Sequence, residues 1–438
     1  MLKFSAFFPL ACLACLSSAD SNPITISDAL RMAVNRNGNV RSAFYTALSA
    51  GEQTKQAYAA FLPSVTPEFQ YVSNRQEFPV TSFFGAYGLP VNGTVFEQTQ
   101  TATTTAAASW TLLDNGDREF TLLANRRSED SSTLAAVQTL RATLYTVYSD
   151  YVVALEAQES HRVDLAEADK ANTILDQTQT RVQAGDVAGK EILQARADAL
   201  NAKVTAINSE QSLDTTLATL KGDIGWNLSE PFPGLAPLAE PPDQDPPDLN
   251  ILVKEAVADR PDLRSARLNV ESLRYQELRL DRDAGFAASL NAGWTQTLTP
   301  QSLQNRSFVF TISAPLYDGG LTRAEAREAR YNKEAAQSTY DQQERSAKAD
   351  IESARAQLVV DLQRLQAARL ALQAAQLNYA AADESQKLGA GTLIDVLTAR
   401  VSLATAENNE IAAKYDTVLA SIRLALVTGE PIPGAVGS

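Results

Sequence analysis

Two stretches of the chain carry apolar residues at every third or fourth position over several turns. A spacing near 3.5 residues puts these side chains on one face of a helix, and such helices pack side by side with slight supercoiling. The pattern therefore predicts two long helices, 118–184 and 322–388. The apolar positions are Leu134, Val137, Leu140, Leu144, Val147, Tyr151 and Leu155 in the first helix and Leu358, Leu362, Leu365, Ala368, Leu372, Ala375 and Tyr379 in the second.

A different pattern, strict alternation, precedes each long helix. Residues 307–316 place Phe308, Phe310 and Ile312 on one face, and residues 288–295 alternate in the same way. The segments 64–73 and 99–113 repeat the alternation more weakly. Period two predicts strands, and about 10 residues is the length with which a tilted strand crosses a bilayer. We therefore predict β-hairpins at 64–113 and 286–317, the first with a loop at 74–98.

Proline placement divides the chain. No proline lies between Pro90 and Pro231 or between Pro315 and Pro431, whereas seven fall within 231–247. Because proline cannot continue a helix, 229–248 is predicted to be an extended linker. It separates repeat 1 (20–228), with helices 27–60, 118–184 and 190–224, from repeat 2 (249–428), with helices 249–284, 322–388 and 392–427. A tail, 429–438, follows.

The two repeats are an internal duplication. The residues Asp114, Gly185 and Leu193 recur as aspartate, glycine and leucine 204 positions later, so 114–196 lies in register with 318–400. The segments 33–43 and 256–266 align at an offset of 223 residues instead. Repeat 1 therefore has 19 additional residues between 43 and 114, and these are predicted to lengthen its hairpin. Duplication on this scale indicates that architecture carries most of the function.

Composition narrows the function classes. The formal net charge of −14 argues against a nucleic-acid partner, which requires a basic face. Residues 1–19 are typical of a secretory signal peptide and contain both cysteines, Cys12 and Cys15; in the alternative interpretation Cys15 is the lipidated first residue of a lipoprotein. The single histidine, His161, lies in a helical pattern and is predicted to be a surface residue. With no nucleophile–base cluster, phosphate loop or metal-ligand spacing, the sequence predicts neither an enzyme nor a cofactor.

Four strands on one chain cannot close a barrel, and open edges are not tolerated in lipid. Either the strands pack on a soluble domain or several chains pool them, and three chains would supply twelve. No apolar segment after the signal is long enough for a membrane-spanning helix. A secreted chain with strands of this length is therefore expected in the outer membrane of a Gram-negative-type envelope.

The order of elements and two motifs resemble the TolC-type outer-membrane efflux proteins. The motifs are the turn 316–320 (Leu-Tyr-Asp-Gly-Gly) and the segment 389–397 (Gly-Ala-Gly-Thr-Leu-Ile-Asp-Val-Leu). The resemblance implies a mainly α fold with a β part: a homotrimer whose long α-helical barrel in the periplasm continues into a twelve-stranded transmembrane β-barrel in outer-membrane lipid. It implies a passive duct for drugs, metals, other small molecules or proteins. Its implied partners are a periplasmic adaptor and an inner-membrane pump of the RND or ABC type.

The resemblance also implies where a gate lies. Asp395 matches the family position that forms a carboxylate ring at the periplasmic entrance, and the 204-residue offset makes Glu191 its counterpart. Crowded carboxylates attract cations, so we expect a cation-selective constriction. Two features of some family members are absent: a second carboxylate, replaced by Thr398, and a locking arginine, replaced by Gly391.

Other residues near the two hairpin tips are candidate gate or adaptor contacts. Asp186 and Lys190 could bond a neighbouring subunit, and Gly185 and Gly389 begin the tips. The arginines that follow in register, Arg196 and Arg400, are predicted to lie on a solvated helix face or to contact an adaptor. The strand-to-helix turns are assigned to residues that suit a chain reversal, namely Asp114, Gly116, Asp318, Gly319 and Gly320.

Two other functions would share the long helices. A structural coiled coil of the cell envelope needs no alternating strands of bilayer length. A periplasmic adaptor usually has one helical hairpin flanked by small β domains, not two full copies of the pattern. The exit duct is the function that the sequence favours.

Overall fold

The computed structural model describes residues 23–83, 90–185, 187–227, 229–241, 246–282 and 285–434. No helix among these residues is both long enough and apolar enough to span a membrane. The helices are α1 (Ile26–Arg36), α2 (Gly38–Ala59), α3 (Asp117–Ala184), α4 (Lys190–Asp223), α5 (Leu249–Asp259), α6 (Pro261–Asp281), α7 (Leu321–Lys387) and α8 (Leu393–Thr428). The strands are β1 (Ser64–Phe83), β2 (Pro90–Asp114), β3 (Ala287–Thr299) and β4 (Leu303–Ser313).

The chain forms two compact units that cut across the two repeats. The first unit comprises Met1–Arg41, Leu140–Val253 and Asp350–Ser438, and the second comprises Ser42–Thr139 and Lys254–Ala349. Each unit takes segments from both repeats. The signal segment 1–19 lies outside the described residues.

The structure interrupts both helices that the sequence pattern predicts ahead of the hairpins. The segment 27–60 breaks at Asn37, whose backbone is extended (ψ 129°) and whose side-chain oxygen accepts a bond from the Asn39 nitrogen at 2.9 Å. This local side-chain turn competes with the helix. The segment 249–284 breaks at Arg260, because Pro261 excludes helical geometry at the preceding residue and then starts α6 as its first residue.

The strands of the second unit form one antiparallel sheet in the order β1-β2-β3-β4. The two hairpins join through β2 and β3, from Ala102 opposite Thr299 to Asp114 opposite Ala287. Within this sheet β1 and β4 each have one neighbouring strand, so both edges carry unpaired backbone groups.

The first hairpin has much longer strands than the sequence predicts. Residues 74–83 pair with 90–99, where the alternation failed and a loop at 74–98 was expected. Threonine, glycine and proline in this segment mask the period-two pattern. The surplus of repeat 1 therefore extends the strands themselves.

One face of β4 is apolar and exposed. Phe308, Phe310 and Ile312 are 72%, 55% and 61% exposed in the isolated chain. Exposed apolar surface that follows the period of a strand marks a contact face for lipid or another protein.

The core of the first unit packs α1 against α3 and α8 and fixes the linker. Tyr151 is fully buried on α3. Its hydroxyl donates a hydrogen bond that is shared by two backbone oxygens, that of Ile24 at 2.8 Å and that of Ala236 at 2.6 Å. Ile24 also forms a parallel bridge with Leu235. Burial raises the pKa of Tyr151 to about 12. The described part of the linker forms no helix, and specific contacts bind it to Tyr151 and Ile24.

A half-buried carboxyl in this unit gives a pH prediction. The pKa of Asp150 is raised to about 7. Burial is the largest cause, and a hydrogen bond with Asp223 and electrostatic repulsion from it add to the effect. The folded state therefore holds a proton that the unfolded chain releases near pH 4, so the contribution of this group to stability falls as pH rises from about 4 to 7. Asp150→Asn should flatten that dependence and raise the unfolding midpoint at pH 8. Circular dichroism melts at pH 5 and pH 8 measure this, and an unchanged pH slope would contradict it.

Candidate functional site

Glycines at matching positions turn the chain at the two hairpin tips of the first unit. We define tip 1 as residues 185–189, between α3 and α4, and tip 2 as residues 388–392, between α7 and α8. Gly185 and Gly389 have φ values of 83° and 75°, in the left-handed region that glycine adopts without strain. Their nitrogens donate to the Val182 and Gln386 oxygens, both at 3.0 Å, closing the ends of α3 and α7.

Tip 2 is shaped around a further glycine. The nitrogens of Ala390 and Gly391 both donate to the Ser385 oxygen, at 2.9 Å and 3.0 Å. A Cβ added at Gly391 would lie 3.1 Å from the Gln386 nitrogen and 3.2 Å from the Ser385 Cβ. This conformation therefore disfavours a side chain at the position where some family members carry a locking arginine.

Asp395 belongs to a capping box at the start of α8. Its carboxylate accepts the Thr392 nitrogen at 2.9 Å and the Thr392 hydroxyl at 2.7 Å, while its own nitrogen donates to that hydroxyl oxygen at 3.3 Å. These bonds lower the pKa of Asp395, and the bond from the Thr392 side chain has the largest effect. The side chain is exposed, so the box presents a fixed negative charge to solvent at the tip.

The other residues predicted to act at the tips lie close in sequence to tip 1 or three residues after Asp395. Glu191 is half-buried in the first turn of α4, beside the exposed Lys190, and α4 has no side-chain cap. Both carboxylates therefore lie in the first turn of their own helix, and the capping bonds described above belong to Asp395. Thr398 is exposed one turn beyond Asp395, and Asp186 lies outside the described residues.

Arg400 contradicts the expectation of a solvated or adaptor-binding arginine. Its side chain is 1% exposed and forms ion pairs with Glu167 of α3 at 2.8 Å and with Asp198 of α4. It also donates to the Glu167 backbone oxygen at 3.1 Å. Burial raises the pKa of Glu167, and Arg400 opposes that shift. We call these three residues the buried ion cluster; it joins α8 to the hairpin of repeat 1. Arg196, the counterpart of Arg400, is exposed as predicted.

Sequence reasoning missed the cluster, although a signal for it was present. Arg400 falls on the apolar face of α8, three residues after Leu397 and three before Leu403, both of which are buried. A cation at such a position requires buried partners. Nothing local identifies Glu167 and Asp198 as those partners, because they lie more than 200 residues earlier.

Aspartates close the strand-to-helix turns of the second unit. Asp318 accepts the Gly320 and Thr322 nitrogens, each at 2.8 Å, together with the Thr322 hydroxyl. These bonds lower the pKa of Asp318 to about 2, and the bond from the Thr322 side chain has the largest effect. Gly319 and Gly320 have positive φ angles of 70° and 90°.

The corresponding turn in repeat 1 uses different bonds. Asp114 accepts the Arg118 nitrogen at 3.3 Å and pairs with the Arg118 guanidinium. Gly116 adopts a φ of 90°. Both turns therefore place an aspartate between strand and helix, with at least one left-handed glycine after it, although Asp114 is the last residue of β2 and Asp318 lies five residues after the end of β4.

Known proteins match this chain over most of its length. The outer membrane efflux protein BepC of Brucella suis biovar 1 is 24% identical over 423 residues, which cover 94% of this chain and 87% of BepC. The outer membrane protein TolC of Escherichia coli is 26% identical over 273 residues, or 58% of this chain; the match spans only 55% of TolC. The open-state structure of the Neisseria gonorrhoeae MtrE outer membrane channel superposes with a TM-score of 0.76 at 18% identity, covering 94% of this chain and 91% of MtrE.

The sequence profile of one family covers both repeats. The profile of the outer membrane efflux proteins matches residues 29–225 and 252–430. These ranges include both tips, the buried ion cluster and strands β1 to β4, and the gap between them contains the proline-rich linker. The chain belongs to the outer membrane efflux protein family.

Proposed function

We propose that this chain is the passive outer-membrane exit duct of a tripartite efflux or type I secretion system. In this role it carries small molecules such as drugs and metals, or proteins, across the periplasm and the outer membrane. The family match over both repeats is the observation that carries the proposal. Energy enters elsewhere, at an inner-membrane pump of the RND or ABC type that a periplasmic adaptor joins to the duct.

The open sheet supports a homotrimer. Within the sheet β1 and β4 each lack a second neighbour, and the outward side chains of β4 are apolar. Unpaired backbone groups are not tolerated in lipid, so β4 of one copy would pair with β1 of the next. Three copies would then supply twelve strands, an even number in the usual range for a closed barrel in outer-membrane lipid.

The tips support a cation-selective entrance. In a trimer, Asp395 and Glu191 would contribute three carboxylates each to a ring, and the capping box holds Asp395 ionised. Rings of carboxylates select cations in channels. Lys190 and Asp186 are candidates for bonds between subunits at this entrance.

The other candidate functions lack a supporting feature. A structural envelope coiled coil would leave the four-stranded sheet and its exposed apolar face without a role. An adaptor would not carry the pattern twice, with a sheet-forming hairpin in each copy.

Membrane fractionation and planar-bilayer recording test the function directly. Protein extracted from outer membranes with detergent should have the mass of three chains by native mass spectrometry and should show heat-modified gel mobility. It should also conduct cations in preference to anions when inserted into a bilayer. A monomer in the soluble fraction that forms no channels would contradict the proposal.

A further inference from the structure

A cleft lies beside the second strand-to-helix turn, where the sheet of the second unit meets its helices. The cleft has a volume of 410 Å³ and is lined by the end of α6, the turn 315–320 and the first two turns of α7. Pockets that bind small molecules have volumes of about 300–1,000 Å³. This cleft, which we call the α7 cleft, is therefore large enough for a ligand the size of a lipid head group.

The corresponding place in repeat 1 is occupied by an arginine. Arg118 pairs with Asp114, and its guanidinium lies 5.0 Å from the centre of the Phe61 ring. The 204-residue offset aligns Arg118 with Thr322. Thr322 bonds to Asp318 in the same way, but its side chain ends at that hydroxyl. The turn of repeat 2 therefore keeps an open cleft where repeat 1 places a long cationic side chain.

Two charged side chains of opposite sign line the α7 cleft, and no ion pair joins them. Asp281 and Arg323 are both exposed, and neither has an ion-pair partner among the described residues. The neighbouring arginines are engaged elsewhere: Arg279 pairs with an aspartate at 2.8 Å, and Arg282 lies 4.9 Å from the centre of a phenylalanine ring. Separate opposite charges in one cleft fit a ligand that itself carries both signs.

The charge of the cleft disfavours a ligand that is only anionic. Asp318 also lines it, so two carboxylates and one guanidinium give the lining a net charge of −1. A phosphate bound to Arg323 would gain one cation and face two carboxylates. A ligand that adds an ammonium group beside the phosphate gives Asp281 a partner as well, and the site thereby discriminates against anions.

The apolar residues beside the cleft indicate where its ligand comes from. Leu316 and Tyr317 are 99% and 90% exposed, and they follow the exposed Phe310 and Ile312 of β4. Apolar strand faces contact acyl chains, and aromatic residues collect at the level of the head groups. Because β4 ends on the side of the sheet where the helices begin, this level is the periplasmic leaflet.

We propose that the α7 cleft binds a zwitterionic phospholipid whose head group ends in a primary ammonium, as phosphatidylethanolamine does. The phosphate accepts hydrogen bonds from Arg323, the ammonium donates to Asp281, and the acyl chains lie along Leu316 and the exposed face of β4. The lipid site rests on the proposed function only through insertion of the sheet into the outer membrane. It adds a specific ligand to each chain of the duct.

Native mass spectrometry of the delipidated protein in detergent measures this binding as lipid is added stepwise. Phosphatidylethanolamine should bind at one molecule per chain. It should bind about tenfold more tightly than phosphatidylglycerol with the same acyl chains, which is the effect of one charge-assisted hydrogen bond. Phosphatidylcholine should also bind more weakly, because its ammonium has no N–H to donate to Asp281.

Three substitutions separate the parts of the site. Arg323→Gln should weaken phosphatidylethanolamine binding about tenfold, and Asp281→Asn should also remove the preference over phosphatidylglycerol. Thr322→Arg, which copies Arg118 of repeat 1, should fill the cleft and abolish binding. The matched control is Arg330→Gln, which replaces an exposed arginine of α7 outside the cleft and should leave the affinity unchanged.

Other outcomes would overturn the lipid site. Equal affinity for the two phospholipids, tighter binding of phosphatidylglycerol, or unchanged affinity in both Arg323→Gln and Asp281→Asn would each do so. If Thr322→Arg did not fold, these two variants would still decide the question, because both replace exposed side chains. A protein that conducts in planar bilayers without preferring phosphatidylethanolamine would lose the lipid site and keep the duct. A protein that does not insert into bilayers would contradict both.

Discussion

Replacing Arg400 with leucine is expected to lower the unfolding midpoint of the purified protein far more than replacing Arg196. Arg400 is 1% exposed between Glu167 and Asp198, so its removal leaves two mostly buried carboxylates without a cation. Breaking a buried pair in this way typically destabilises a protein by about 3–5 kcal/mol. The same substitution at the exposed Arg196 should stay within about 0.5 kcal/mol.

Melts followed by circular dichroism measure this difference, and pH identifies its cause. Burial already raises the pKa of Glu167 while Arg400 opposes the shift, so removing Arg400 should raise that pKa further. A carboxyl with a raised folded-state pKa loses its stabilising contribution as pH rises through that value. The defect of Arg400→Leu should therefore be smaller at pH 5 than at pH 8. Equal losses for the two arginine variants would contradict the role assigned to the buried ion cluster.

A triple variant separates charge from packing. When Glu167, Asp198 and Arg400 are replaced together by apolar residues of similar volume, no ion remains without a partner. Whole buried ion clusters replaced in this way often leave proteins as stable or more stable. We expect the triple variant to recover most of the loss seen with Arg400→Leu. If the triple variant did not recover stability, the loss would result from the shape of the missing arginine side chain and not from unpaired charge.

The long helices were accessible from sequence because one signal dominates them. The structure has α3 at Asp117–Ala184 and α7 at Leu321–Lys387, where the apolar period predicted 118–184 and 322–388. A stripe maintained over many turns without proline leaves the backbone no competing conformation. The apolar period does not show where a single residue interrupts a helix. Asn37 and Pro261 mark such interruptions, although the apolar pattern continues past both.

The tips were predictable in part. Glycine at 185 and 389 indicated the chain reversals, and Thr392 followed three residues later by Asp395 is a capping-box signature that the sequence already contained. The buried ion cluster was not predictable, because its three members come from α3, α4 and α8. The local pattern places Arg400 on the apolar face of α8, but only the folded chain shows that Glu167 and Asp198 are its partners.

The charge of Asp395 and its capping bonds should have separable effects on conduction. Asp395→Asn removes three charges from the entrance of the proposed trimer. Clefts lined by one sign of charge concentrate counterions by an order of magnitude or more, so the cation-to-anion permeability ratio should fall about threefold or more. Asp383→Asn is the matched control, since Asp383 pairs with Lys387 on α7 before the tip. It should leave the ratio near that of the natural protein.

Thr392→Ala tests the capping bonds while retaining the carboxylate. At neutral pH the ratio should remain cation-selective, because Asp395 is still ionised. The bond from the Thr392 hydroxyl is the largest cause of the lowered pKa of Asp395, so its loss should move that pKa toward its ordinary value, while the bond from the Thr392 nitrogen remains. As pH falls, selectivity should then disappear at a higher pH in Thr392→Ala than in the natural protein. Thr392→Ser, which keeps a hydroxyl, should restore the original profile.

Reversal potentials measured in planar bilayers across a salt gradient from pH 7 to pH 3 distinguish these results. Anion preference in the natural protein, or equal effects of Asp395→Asn and Asp383→Asn, would show that tip 2 does not set selectivity. An unchanged pH profile in Thr392→Ala would mean that another charged group governs the entrance. Glu191→Gln would then be the next variant to record, because Glu191 is the repeat counterpart of Asp395 and is unchanged in all the variants above.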